Sequence, residues 1–114
     1  MIFAVMLTVA LIASGCQSTP RGMVGKPLSV IEKRVGRPST KVLTKVSGDR
    51  WGPHPQLLSV GDPYLYVGYA GLRGRDWYLF FVRPEVFKKI KGGKADQDDW
   101  YLLQCEWYPE DTMF

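Results

Sequence analysis

The run Trp77-Tyr78-Leu79-Phe80-Phe81-Val82 constrains the fold more than any other part of this chain. Successive side chains of a strand point to opposite faces, so six consecutive apolar or aromatic residues need cover on both sides. Residues 76–83 are therefore expected as a central strand. A second aromatic-rich run, residues 64–69, precedes it across the turn-forming stretch 70–75, and a third, residues 100–108, follows it. Residues 40–46 place Val42, Thr44 and Val46 at alternate positions and read as one more strand. Between them, residues 51–63 are punctuated by Gly52, Pro53, Pro55 and Gly61 and read as a loop.

Helical spacing is confined to two short stretches. Val24, Leu28, Ile31 and Val35 recur at steps of four, three and four, which puts them on one stripe with Ser29, Glu32 and Lys33 facing away. Pro27 suits the first turn, where its missing N–H is no loss; Gly36 can take a left-handed stop and Pro38 bars continuation. A helix over about residues 28–35 follows from these signals. Residues 84–91 form a second short helix with Val86, Phe87 and Ile90 inward, broken by Gly92-Gly93. The expected class is α+β: one or two short helices packed on an antiparallel sheet of three or four strands.

Residues 1–15 contain no charged side chain and end in Leu11-Ile12-Ala13-Ser14-Gly15 before Cys16. This pattern resembles the end of a bacterial lipoprotein signal, in which small residues precede a cysteine that is acylated and becomes the new N-terminus. The run stops short of the roughly 20 apolar residues that a spanning helix needs. Ordinary secretion and a buried N-terminal element are the alternatives. The resemblance divides the chain into a signal peptide (1–15), a polar tether (16–22) and a folded domain (23–114). One acyl chain holds a protein only marginally, whereas two or three, at about 0.8 kcal/mol per buried CH₂, hold it durably. Gln17 is not the Asp that resembles an inner-membrane retention signal, which favours the periplasmic face of an outer membrane.

Charge and cysteine usage narrow the function classes. From Cys16 to Arg50 eight Lys or Arg stand against Glu32 and Asp49, while from Asp96 onward six acidic residues stand with no basic one, in a chain of net charge +4. The basic half adjoins the tether, so anionic lipid headgroups are an expected partner beside a solvated-surface explanation. No nucleic-acid motif is visible. With Cys16 acylated, Cys105 has no partner for a disulfide and reads as a small buried hydrophobe, on one face with Tyr101, Leu103 and Trp107. The single histidine, His54, lies in a Gly-Pro-His-Pro turn that nothing connects to Cys105. Asp96, Asp98 and Asp99 lack the Gly and distal Glu of a calcium loop, and no Gly-rich stretch opens a helix as a phosphate loop does. The chain is therefore expected to be non-catalytic, with no metal or cofactor. Trp51 and His54 in the long loop, and Arg73 and Arg75 in the following turn, are the candidate interaction residues, because Trp and Arg are favoured interface anchors.

The stretch Gly25-Lys26-Pro27-Leu28-Ser29-Val30-Ile31-Glu32-Lys33-Arg34-Val35-Gly36-Arg37-Pro38 resembles the helix signature of the SmpA/OmlA (BamE-like) lipoproteins. The order that follows is similar too: an irregular loop, an aromatic-rich strand at Tyr64-Leu65-Tyr66, and two further strands. Pro27 stands where that signature has Thr or Ser. The resemblance implies a two-layer domain of helices on a three-stranded antiparallel sheet, anchored at the periplasmic face of the outer membrane and accessory to β-barrel protein assembly. The expected role is thus a lipid-anchored protein–protein interaction module with an envelope protein as partner. A surface-anchored inhibitor or ligand-binding lipoprotein is the alternative.

Overall fold

The computed structural model describes residues 19–49 and 51–112. Its elements are helix α1 (Leu28–Val35), strands β1 (Thr40–Lys45), β2 (Pro63–Leu72) and β3 (Arg75–Val82), helix α2 (Pro84–Lys91) and strand β4 (Tyr101–Pro109). The strands form one antiparallel sheet in the order β1-β2-β3-β4. The fold is the α+β arrangement anticipated, with the apolar run in an internal strand. Four strands are present where the resemblance implies three, and the helices lie on opposite faces of the sheet.

β3 separates two cores. Trp77, Leu79 and Phe81 point to one face, where they join Leu65, Val67, Leu102 and, from α1, Leu28 and Ile31. Val82 points to the other, with Leu103, Tyr101, Val46, Leu58 and Phe87 of α2. Burying an Ile or Leu fully removes its side chain from water at about 25 cal/mol per Å². Ile31, Leu79, Phe81 and Leu102 have no exposed surface at all.

Helix α1 spans the expected residues 28–35, but Pro27 lies just outside its first turn. Pro27 is its extended N-cap (φ −71°, ψ 153°) and offers no side-chain acceptor. The acceptor comes from elsewhere: Asp99 Oδ2 receives the Ser29 hydroxyl at 2.7 Å and the Ser29 N–H at 3.3 Å. At the other end Gly36 has φ 107° and ψ −172°, a positive φ with extended ψ rather than a left-handed turn, and its N–H bonds to Glu32 O. The α1 stripe is shorter than its spacing suggests, because Val24 precedes the helix and is exposed.

Two irregularities set the register. Between Tyr69 and Leu72 the β2–β3 ladder shifts, and the Gly71 N–H donates to Asp76 Oδ1 at 2.9 Å. The strands then close through only Arg73 and Gly74, both at positive φ, so the turn is tighter than the expected 70–75. The second shift lies between Phe80 and Phe81, whose partners on β4 are Gln104 and Leu102. Leu103 is thus an extra residue, a β-bulge. It splits the single face expected for β4: Tyr101 and Leu103 join the α2 side, whereas Cys105 packs against the α1 core and Trp107 meets Trp77 there.

The two sheet edges differ. The chain before α1 lies along β4, with Gly25 N–H bonded to Leu102 O, Leu102 N–H to Lys26 O and Leu28 N–H to Trp100 O. β1 is the other edge, and it exposes Val42 (48 %) and Leu43 (64 %).

Candidate functional site

On the α1 side the sheet is covered except at its margins, where Leu43 and Trp107 are exposed; on the α2 side one end alone is covered. Alternation along the strands puts Thr40, Val42 and Thr44 of β1, Tyr64, Tyr66 and Gly68 of β2, and Asp76, Tyr78 and Phe80 of β3 on this second face. The rings form a continuous array. Tyr66 stacks beside Tyr78 (centroids 6.2 Å, 27°), Tyr64 meets Phe80 edge-on at 5.6 Å, and Tyr108 meets Tyr78 edge-on at 5.7 Å. Such pairs add roughly 0.5–1.5 kcal/mol beyond area burial, so the array holds its shape without a cover.

A groove of about 390 Å³ runs over this array between the β1 side chains and Pro53. It shares Thr40, Tyr66 and Tyr78 with a smaller recess of about 100 Å³ that reaches Asp76. Gly68 forms part of that floor, where a Cβ would lie 2.5 Å from the Tyr66 hydroxyl. No Lys or Arg lines either hollow among the described residues. Glu106, paired across the strands with Tyr78, borders the array and accepts from the Tyr108 hydroxyl at 3.3 Å through Oε1; its Oε2 is enclosed with no donor among the described residues. Burial raises the pKa of Tyr64, Tyr66 and Tyr78, and the Asp76 charge raises Tyr66 and Tyr78 further. The array therefore presents neutral phenols.

The long loop forms the groove's far wall. The Gln104 side chain on β4 holds it: Gln104 Oε1 accepts from the Gln56 N–H at 2.8 Å and Gln104 Nε2 donates to His54 O at 3.1 Å. Pro55 is buried beneath this clamp.

The four residues singled out in the sequence do not converge. Trp51 stands 71 % exposed at the loop's start. His54 is half-buried, its Nδ1 bonded to Gly52 O at 2.8 Å. Arg73 occupies the tight turn with φ 57°. Arg75 lies over the Trp107 ring at 3.9 Å, on the opposite face from the tyrosines. Cys16 lies outside the described residues. The tyrosine face is what sequence reasoning missed. Its signal was present as period-two spacing, Tyr64-x-Tyr66 and Tyr78-x-Phe80, but nothing in the spacing tells a covered face from an open one.

The remaining chemistry-bearing groups have structural roles. Burial and the Glu106 charge push the Cys105 thiol up to about 12, far from the thiolate that a nucleophile requires. Asp96 and Asp98 pair with Lys88 and Arg83, and Asp99 caps α1. Among the described residues no three His, Cys, Asp or Glu are grouped as metal ligands, and no helix is long and apolar enough to cross a membrane. Comparison with protein-family models, with curated proteins and with solved structures gives no match for this chain.

Proposed function

We propose that this chain is a non-catalytic protein-binding module, held on the cell envelope by lipid on Cys16, whose docking surface is the tyrosine face. One observation carries the reading: α2 and the long loop cover only one end of their sheet face, so that the half-buried rings of Tyr64, Tyr66 and Tyr78 line an open groove. Exposed contiguous apolar patches on soluble domains mark interaction sites. Tyr is also among the residues that concentrate binding energy at interfaces. The leader before Cys16 and the resemblance to the SmpA/OmlA lipoproteins support the periplasmic face of the outer membrane as the place, and barrel assembly as the process it assists. Exposed Lys33 and Arg34 on α1 support anionic headgroups as a second contact of the opposite, basic side.

A photo-crosslinking amino acid placed at Val42, on the groove's rim, tests the reading in intact cells. The expected result is a discrete protein adduct at Val42 and none at Lys33 on the far side. Adducts to lipid alone, or equal adducts at both positions, contradict it. The exposed Trp51 favours one alternative, an inhibitor presenting its loop; an adduct to a soluble foreign enzyme at Trp51 but not Val42 would establish that instead.

A further inference from the structure

The groove's chemistry specifies its occupant more narrowly than a protein partner. We propose that the tyrosine face binds an extended, proline-containing peptide segment in polyproline II conformation, with a Lys or Arg of that segment directed to the Asp76 end. This rests on the preceding reading of the face as a protein-docking surface.

Three observations carry it. The first is the aromatic floor, the half-buried rings of Tyr64, Tyr66 and Tyr78 resting on the buried Phe80. Polyproline II segments dock aromatic-lined grooves because their backbone is already ordered and their pyrrolidine rings lie flat on aromatic faces. Their carbonyls, bonded to nothing within the peptide, need donors, and protonated phenols supply them. The second is the wall: the apolar Val42 and Pro53 stand with Thr40 and Thr44, whose hydroxyls are the wall's hydrogen-bonding groups. Val42 and Pro53 suit pyrrolidine rings and aliphatic side chains, while the Thr40 and Thr44 hydroxyls can donate to carbonyls that the segment leaves unbonded.

Charge is the third observation. In a chain with fifteen Lys and Arg against eleven Asp and Glu, the groove and its adjoining recess are lined, among the described residues, by one charged side chain, Asp76, and by no cation. Asp76 spends Oδ1 on the Gly71 N–H, which fixes the carboxylate at the end of the groove. Glu106 borders the same side. A cation there gains both the carboxylate and the faces of Tyr66 and Tyr78, while an acidic segment meets only repulsion.

Titrating the protein, extracted from membranes in detergent, with three synthetic decapeptides by NMR tests this: nine prolines with one Arg, nine prolines with one Glu, and a Gly/Ser peptide with one Arg. The expected result is binding of the Arg–proline peptide, with shifts confined to β1, β2 and β3 residues of the tyrosine face, and at least about fivefold weaker binding of the other two. Tyr66→Ala should weaken the Arg–proline peptide by about tenfold or more. Asp76→Asn keeps the Oδ1 acceptor and should abolish the preference for Arg over Glu. Gly68→Ala, which obliges the Tyr66 hydroxyl to move, should weaken binding while the amide spectrum stays folded. Equal binding of the Arg–proline and Gly/Ser peptides, or an unchanged preference in Asp76→Asn, overturns the proposal. So does binding of a chito-oligosaccharide at the same residues without peptide binding, or a dimer joined through β1 that blocks the groove. Loss of peptide binding alongside a persistent Val42 protein adduct would refute the ligand class and leave the docking role standing.

Discussion

At the scale of single residues, burial of ionisable groups dictates how this domain responds to base. The Cys105 thiol is pushed from 9.0 up to about 12, and the Tyr69 hydroxyl, buried beside Glu32 and donating to Gly36 O at 2.8 Å, from 10.0 up to about 12. Both are acids whose charged form is disfavoured in the fold. Their contribution is fully present below the unfolded-state values and is lost as pH rises through the folded ones. Stability should therefore hold to about pH 9 and fall steadily between pH 9 and 12; urea midpoints across that range check it. Cys105→Ala and Tyr69→Phe should each flatten the decline. Cys105 was legible as a small hydrophobe, though it is partly rather than fully buried, and its neighbours were not: a strand assumed regular puts it beside Tyr101 and Leu103, and the Leu103 bulge puts it on the other side of the sheet. Bulges leave no spacing signal when the inserted residue is as apolar as those around it.

Among the elements, α1 shows how local and tertiary signals combine. Its limits were legible because Pro27, Gly36 and Pro38 act through the backbone alone. Its cap was not, because a proline at the N-cap has no acceptor and Asp99, distant in sequence, supplies one. Removing that acceptor in Asp99→Ala should cost about 1 kcal/mol, the usual worth of an N-cap, measurable as a lower denaturant midpoint at unchanged slope. Ile31 is the helix's fully buried contact with the sheet. Ile31→Asp should cost about 3 kcal/mol or more by burying an unpaired charge, while Val24→Asp, outside the helix and exposed, should stay within about 0.5 kcal/mol. A thermal melt that ranks the two equally would deny that α1 anchors the first core. The strands were legible for a related reason: alternation with both faces apolar identifies β3 as internal. How far α2 and the loop reach across the second face depends on contacts such as Gln104 with Gln56 and His54, so the open tyrosine array stayed hidden until the fold was assembled.

At the scale of the whole molecule the asymmetry between the faces is the central feature. α1 covers the centre of one face, leaving Leu43 and Trp107 exposed at its margins, while the other pairs a modest second core with an aromatic groove that no cation lines among the described residues. A lipid at Cys16, a few residues before the first described one, would hold this domain at a membrane surface with its groove available to envelope proteins. Tethering raises the effective concentration of partners confined to the same surface, so even a weak groove suffices. That account depends on the covalent state of the N-terminus, and intact mass of the protein extracted from membranes reads it directly. The account predicts a polypeptide beginning at Cys16 and carrying acyl chains; an unmodified chain that retains Met1 would contradict it.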